Sequence, residues 1–99
     1  MIKSSKADLP MEALTDWTLD KHNHHRTLCL TKSWTLPTFS AAIELFNAIA
    51  QLALKQDHHP EILSSHTYLK VRIWTHDVGG LTEKDFELAT AIDQLTRTQ

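Results

Sequence analysis

The sequence SAAIELFNAIAQLAL, residues 40–54, contains neither glycine nor proline and consists largely of good helix formers. Pro37 interrupts the chain before this stretch, and the sequence DHHP at residues 57–60 ends it, because the residue before a proline is pushed out of the helical region. The stretch therefore predicts one long helix, from about Thr38 to the DHHP sequence.

The long helix carries two apolar stripes on neighbouring faces. The first consists of Phe39, Ile43, Phe46, Ala50 and Leu54, and the second consists of Leu45, Ile49 and Leu52. Together the stripes are wider than contact with one sheet requires. We expect the extra face, formed by the second stripe, to bury against another subunit. The alternative is a helix sunk between the sheet and the terminal helices.

Three segments around this helix alternate apolar and polar residues, as strands do. Two of them, residues 17–20 and 26–34, predict a hairpin, and its turn at residues 21–25 contains Asn but no Gly, which favours three or more turn residues. The third is YLKVRIWT, residues 68–75. Residues 61–63 predict a short strand before it, and His66 is expected at the start of the third strand.

Two further helices are predicted at the ends of the chain. Gly79 and Gly80 allow a sharp turn, after which Thr82 has the form of a helix N-cap with an acid, Asp85, three positions later. This helix is predicted to run to about Thr96, with one apolar face formed by Phe86, Leu88, Ala89, Ile92 and Leu95. A short helix is predicted over residues 8–15, and residues 1–6 are expected to be disordered. The element order predicts an α+β fold with an antiparallel sheet covered by helices on one face.

The size of the chain indicates one domain. It has 99 residues, of which 41% are hydrophobic and 22% are charged, and these values are ordinary for a globular protein. A core of this size leaves little stability in reserve, and one cysteine, Cys29, cannot form an internal disulfide. We therefore expect oligomerisation to contribute stability.

Charge and hydropathy argue against several classes of partner. The formal net charge is −2 and the pI about 6.4, and the Lys and Arg residues are scattered, so nucleic acid is not an expected partner. No stretch approaches the ~20 apolar residues of a membrane span, and the first residues lack the apolar run of a signal peptide. Because Cys29 is expected to be a buried, reduced thiol, we predict a cytoplasmic protein that binds no membrane.

Four of the seven histidines receive no functional role. His22, His24 and His25 lie in the predicted hairpin turn, where solvated turn residues are the simplest interpretation. His66 is interpreted as a polar residue at a strand edge.

The other three histidines occupy positions where proton transfer could occur. His58 and His59 leave the long helix beside Pro60, which restricts the directions of their imidazoles, and Asp57 stands beside them as a hydrogen-bond acceptor. His76 follows the best-defined strand, immediately before the Gly-Gly turn. An imidazole titrates near neutral pH and can act as acid or base, and a carboxylate can fix its tautomer.

Zinc is the alternative use of three histidines and a carboxylate, with water in the open position. Adjacent histidines do not match the spacing of metalloproteases or zinc fingers, so we predict no metal ion and no cofactor. Nucleophilic catalysis is also disfavoured, since no Ser or Cys lies in a recognisable nucleophile motif.

These residues resemble those of the pterin-4a-carbinolamine dehydratase family, in their order and spacing. The resemblance rests on Asp57-His58-His59-Pro60-Glu61, Tyr68, Val71, Thr75-His76 and Gly80-Leu81-Thr82-Glu83-Lys84-Asp85. It extends more loosely to Asp16-Trp17, Phe39 and Phe46. It implies a two-layer fold in which a four-stranded antiparallel sheet carries helices on one face. It also implies homodimers, or homotetramers whose long helices pack together, which would give the second stripe its function.

The resemblance also implies a pterin site. It assigns catalysis to His58, His59 and His76, and it assigns substrate binding or orientation to Asp57, Pro60, Trp74, Thr75, Asp77 and Asp85. The implied reaction, in tetrahydrobiopterin recycling, removes water from 4a-hydroxytetrahydropterin to give quinonoid dihydropterin. We expect His58 and His76 to divide the acid and base work, whereas His59 and Asp57 hold the ring and tune the imidazoles.

One position departs from the family pattern. Four residues before His58 the family often carries an acidic or other polar residue that faces the pocket, and this chain has Leu54. The alternative function is therefore a non-catalytic protein of the same fold that binds pterin or acts as a dimerisation partner of another protein. A third interpretation is a pterin-binding accessory protein of molybdenum-cofactor metabolism.

Overall fold

Four strands and two helices follow one another in the computed structural model, which describes residues 16–21 and 27–97. The elements are β1 (Thr18–Asp20), β2 (Cys29–Thr35), α1 (Phe39–Gln56), β3 (Glu61–Ser65), β4 (Tyr68–Ile73) and α2 (Glu83–Arg97). The predicted helix over residues 8–15, the disorder expected of residues 1–6, and His22, His24 and His25 lie outside the described residues. Neither helix in the described part is long and apolar enough to cross a membrane.

The four strands form one antiparallel sheet in the order β1-β2-β4-β3. The central pair aligns Leu30 with Ile73 and Trp34 with Leu69, although α1 and β3 lie between these strands in the chain. The predicted α+β class and four-stranded antiparallel sheet are confirmed, as are the β1–β2 pairing and the short strand before β4.

Strict alternation along β4 forms the centre of the core. Leu69, Val71 and Ile73 are fully buried, whereas the residues between them are only half-buried. The helices cover the buried side of the sheet with Leu45 and Ile49 from α1 and with the predicted apolar face of α2. This packing matters for function because it holds the end of β4 against both helices.

The two apolar stripes of α1 were assigned the wrong way round. Leu45 and Ile49, of the second stripe, are buried against the sheet, so this stripe is not the face left for another subunit. The first stripe is the more exposed of the two, with Phe39 59% and Leu54 63% exposed, although its Phe46 packs against the core. The alternative, a helix between the sheet and the terminal helices, stays a prediction, because the helix predicted over residues 8–15 lies outside the described residues. Both stripes are apolar, so their composition alone could not tell which one faces the sheet.

His66 does not begin a strand, as predicted, but lies in the turn between β3 and β4. Ser65 pairs with Tyr68, so the connection has two residues, and His66 adopts a left-handed conformation with φ 60°. Tight hairpin turns commonly require a positive φ. The turn lies at the opposite end of β4 from Thr75.

A buried polar cluster joins the start of β1 and the middle of β2 to α2. The Trp17 indole N–H and the Lys32 ammonium group both donate to Oδ1 of Asp93, at 2.8 and 3.0 Å. The ammonium nitrogen also lies 5.8 Å from the ring centre of Trp17 and 5.4 Å from that of Trp34, within cation–π range. Because Lys32 lies opposite Val71 in the sheet, it points toward the helices, where it needs this anionic partner.

Candidate active site

The end of α1 is closed by a left-handed residue, Asp57, with φ 54° and ψ 44°. Its backbone N–H donates to the carbonyl of Leu54 at 3.2 Å, and the N–H of His58 donates to the carbonyl of Ala53 at 3.0 Å. This pair of bonds is the Schellman arrangement, which satisfies the last carbonyls of a helix. Asp57 thereby reverses the chain and places His58 in a buried position, with its side chain 10% exposed.

The loop between β4 and α2 brings a second group of polar residues to the same place. Thr75 and Gly80 form an isolated antiparallel bridge, in which the Thr75 N–H donates to the Gly80 carbonyl at 2.8 Å. Gly79 turns the chain with φ 65°, a value that glycine adopts without strain. The bridge closes the loop, so that Thr75 and Thr82 lie next to each other.

Asp85 joins these segments and is fully buried. Its Oδ1 lies 2.6 Å from Nε2 of His58, and its Oδ2 accepts hydrogen bonds from the Thr75 hydroxyl at 2.8 Å and the Thr82 N–H at 2.7 Å. One carboxylate therefore connects the end of α1, the end of β4 and the start of α2. A buried carboxylate needs such a set of donors to compensate for lost water.

The start of α2 supplies part of this stabilisation. Thr82 immediately precedes the helix and accepts a hydrogen bond on its hydroxyl oxygen from the Lys84 N–H at 3.3 Å. Asp85, three positions after the cap, returns its side chain to the Thr82 N–H, which is one half of a capping box. The predicted cap is confirmed. The partial positive charge at a helix N-terminus also favours a carboxylate there.

The remaining candidate side chains are more exposed. His59 lies at the surface, with its Nε2 3.8 Å from Oδ1 of an almost fully exposed Asp57. His76 is exposed in the loop, where its ring centre lies 4.7 Å from that of the buried Trp74. Asp77 is exposed and Pro60 half-buried.

Three of the predicted site residues are thus directly connected. His58, Thr75 and Asp85 share one hydrogen-bond network, whereas His76 contacts Trp74 and His59 approaches Asp57. The carboxylate that contacts His58 is Asp85 and not the neighbouring Asp57, which was expected to tune both imidazoles. The sequence also assigned no site role to Thr82. Its predicted place as the N-cap, three residues before Asp85, did indicate that Thr82 and Asp85 lie close together.

Metal binding has no evident location in residues 16–21 and 27–97. No group of three or more His, Cys, Asp or Glu side chains there is arranged to hold a metal ion. Cys29 is buried, as expected, and its thiol donates to Oδ1 of Asp20 at 3.2 Å.

Comparison with known proteins identifies the family. A family model described as pterin 4 alpha carbinolamine dehydratase matches residues 2–95. The chain belongs to this dehydratase family. An Arabidopsis thaliana relative named pterin-4-alpha-carbinolamine dehydratase 2, mitochondrial, is 38% identical over 96% of the chain, although the chain spans only 50% of that protein. A Chloroflexus aggregans protein provisionally named for the same activity is 40% identical over 81% of this chain and 80% of its own length.

Solved structures show the same dehydratase fold. A Brucella melitensis protein described as a transcriptional coactivator/pterin dehydratase superposes with a TM-score of 0.80 at 25% identity, covering 94% of this chain and 97% of that one. A pterin dehydratase-like protein described as a RuBisCO assembly factor of the alpha-carboxysome has a TM-score of 0.67 at 18% identity, covering 84% and 92%. At that identity the second likeness shows the fold alone.

The conformation of Asp57 predicts how its substitutions change stability. Asp57→Gly should leave the free energy of unfolding unchanged or raise it by up to about 1 kcal/mol, because glycine adopts the left-handed region freely. Asp57→Val should lower it by about 1–3 kcal/mol, since a β-branched residue is strained there. Urea denaturation measures both. An equal decrease in the free energy of unfolding in the two variants would show that the carboxylate, and not the backbone conformation, matters for stability.

Proposed function

We propose that this chain is an enzyme that dehydrates 4a-hydroxytetrahydropterin to quinonoid dihydropterin. The observation that carries the proposal is the buried pair of His58 and Asp85, with 2.6 Å between Nε2 and Oδ1. A buried imidazole held by a fixed carboxylate is suited to proton transfer. Membership of the family and the names of its relatives support a pterin as the substrate.

The reaction defines what the site must do. The N5–H bond breaks, the N5 electron pair forms the C4a=N5 double bond, and the C4a–O bond breaks. The N5 proton needs a base, and the departing hydroxyl needs an acid so that it leaves as water. No oxidant or reductant is required, so two proton-transfer groups are sufficient in principle.

His58 and His76 divide these two roles in our proposal. His58 is buried and paired with Asp85, which would stabilise the imidazolium formed when His58 gains a proton. His76 is exposed in the loop after β4, where it can reach substrate and exchange protons with water. Trp74 is buried, so its proposed contribution is to restrict the imidazole of His76 rather than to face the pterin.

The exposed residues beside this pair are proposed to contact the pterin. His59, Asp57 and Asp77 have exposed side chains that can donate or accept hydrogen bonds without prior disruption of the core. Pro60 fixes the backbone after the two histidines. Leu54 is 63% exposed near this helix end, where the family often has a polar group. Because leucine has no polar group, we expect this position to contribute less to catalysis.

The protein is further proposed to form homodimers or homotetramers and to act in tetrahydrobiopterin recycling. The exposed first stripe of α1, and not the second, is the apolar surface available for contact between subunits. The cytoplasm remains the proposed location, and the mitochondrial name of the Arabidopsis relative makes that compartment the alternative to test.

A non-catalytic, protein-binding role is the second candidate. The exposed side chains of Phe39 and Leu54 favour it, and the solved structures of this fold include proteins described as a coactivator and as an assembly factor. The buried pair of His58 and Asp85 favours catalysis over this candidate, because recognition of a protein at the surface does not require an imidazole held by a buried carboxylate.

Loss of either proposed proton-transfer group should slow dehydration. His58→Ala and His76→Ala are each expected to reduce the enzymatic rate about 10²- to 10⁴-fold, the usual contribution of general acid–base catalysis. The measurement is quinonoid dihydropterin formation from chemically generated 4a-hydroxytetrahydropterin.

His66→Ala is the matched control, because His66 is exposed in the turn at the far end of β4 and should retain the full rate. Near-normal rates in both test variants would refute the assignment of the two histidines. A wild-type rate no higher than the uncatalysed one would instead favour the protein-binding candidate.

Charge on the first stripe should weaken self-association. Ile43→Glu places a carboxylate within the proposed subunit contact and is expected to raise the dissociation constant at least tenfold, because the charge would have to be desolvated. Sedimentation velocity over a range of concentrations measures it. Gln94→Glu, at an exposed position of α2 outside the stripe, is the control and should associate like the wild type. Equal association of both variants would exclude the first stripe as the subunit contact.

A further inference from the structure

The hydroxyl of Thr82 extends the network around Asp85 by one more group. Its Oγ1 lies 2.8 Å from Oγ1 of Thr75, and it also accepts the N–H of Lys84. Thr75 in turn donates to Oδ2 of Asp85. The order of contacts is therefore Lys84, Thr82, Thr75, Asp85 and His58, running from the first turn of α2 to the imidazole.

The number of available protons sets the direction of each bond in this series. A hydroxyl has one proton to donate and two acceptor lone pairs. Because Thr75 uses its proton toward Asp85, the bond between the two threonines must be donated by Thr82. Every donor in the series therefore points toward the carboxylate.

This direction determines the tautomer of His58. An ionised carboxylate can only accept hydrogen bonds, and Asp85 already accepts them on Oδ2 from the Thr75 hydroxyl and from the Thr82 N–H at the start of α2. The contact of 2.6 Å at Oδ1 then requires the hydrogen on Nε2 of His58. Nδ1 has no hydrogen-bond partner among the described residues, which leaves its lone pair available.

We infer that Thr82 is a positioning residue that fixes His58 with hydrogen on Nε2 and leaves Nδ1 as the base. The last step rests on the proposed function: the N5 proton passes to Nδ1, the N5 electron pair forms the C4a=N5 bond, and the C4a hydroxyl leaves as water with a proton from His76. The tautomer itself is a property of the protein without substrate. Thr82 would otherwise be only the cap of α2.

Three substitutions separate the positioning role from capping. Thr82→Ser keeps the hydroxyl and the cap, Thr82→Val keeps the shape and loses both, and Thr82→Gly loses the hydroxyl with little loss of capping. Long-range proton–nitrogen NMR spectra, recorded over a series of pH values, identify which imidazole nitrogen carries hydrogen in the neutral ring. The signals of His58 are assigned by their absence in His58→Gln.

The wild type and Thr82→Ser should show hydrogen on Nε2 alone. Thr82→Val and Thr82→Gly should show a mixture of tautomers, with kcat reduced about tenfold and KM unchanged. Unchanged imidazole signals in Thr82→Gly would overturn the inference and leave Thr82 as a cap, and Thr82→Gly provides this result even if Thr82→Val does not fold. A shifted tautomer in a protein without dehydratase activity would support the positioning role and refute the proposed function.

Discussion

The hydrogen bond between Asp85 and His58 is the constraint on which the candidate site depends. It joins residues 27 positions apart in the chain, one at the end of α1 and one in the first turn of α2. Both groups are buried, so each needs the other or an equivalent polar partner to compensate for lost water. The two helices and the end of β4 must therefore meet in one arrangement for the site to exist.

Ordinary elements of helix formation produce this arrangement. The left-handed Asp57 ends α1 and turns His58 inward, and Thr82 begins α2 so that Asp85 faces back toward its cap. The bridge between Thr75 and Gly80 closes the loop between them. Because capping interactions and site contacts share the same atoms, the local folding of each helix end also orients the proposed chemistry.

The spacing of apolar residues predicted the fold well, but it did not predict which residues of the site are joined by hydrogen bonds. Alternation predicted the strand β4, and the single apolar face of α2 identified the side of that helix that is buried. For α1 the same reasoning could not tell which of the two stripes faces the sheet, because both stripes are apolar. Sequence proximity also suggested Asp57 as the partner of His58, whereas the actual partner, Asp85, is brought near only by tertiary packing. The family resemblance named Asp85, but the role of Thr82 needed hydrogen-bond geometry.

Replacement of Asp85 by asparagine tests the central claim most directly, because it keeps the size of the side chain and removes its charge. Dehydration of 4a-hydroxytetrahydropterin and urea unfolding would be measured on the same preparation. We predict a folded protein whose rate falls at least about 100-fold, in the range expected when an acid–base group loses its partner. A folded Asp85→Asn protein with the wild-type rate would contradict the proposal that the Asp85–His58 pair carries the reaction.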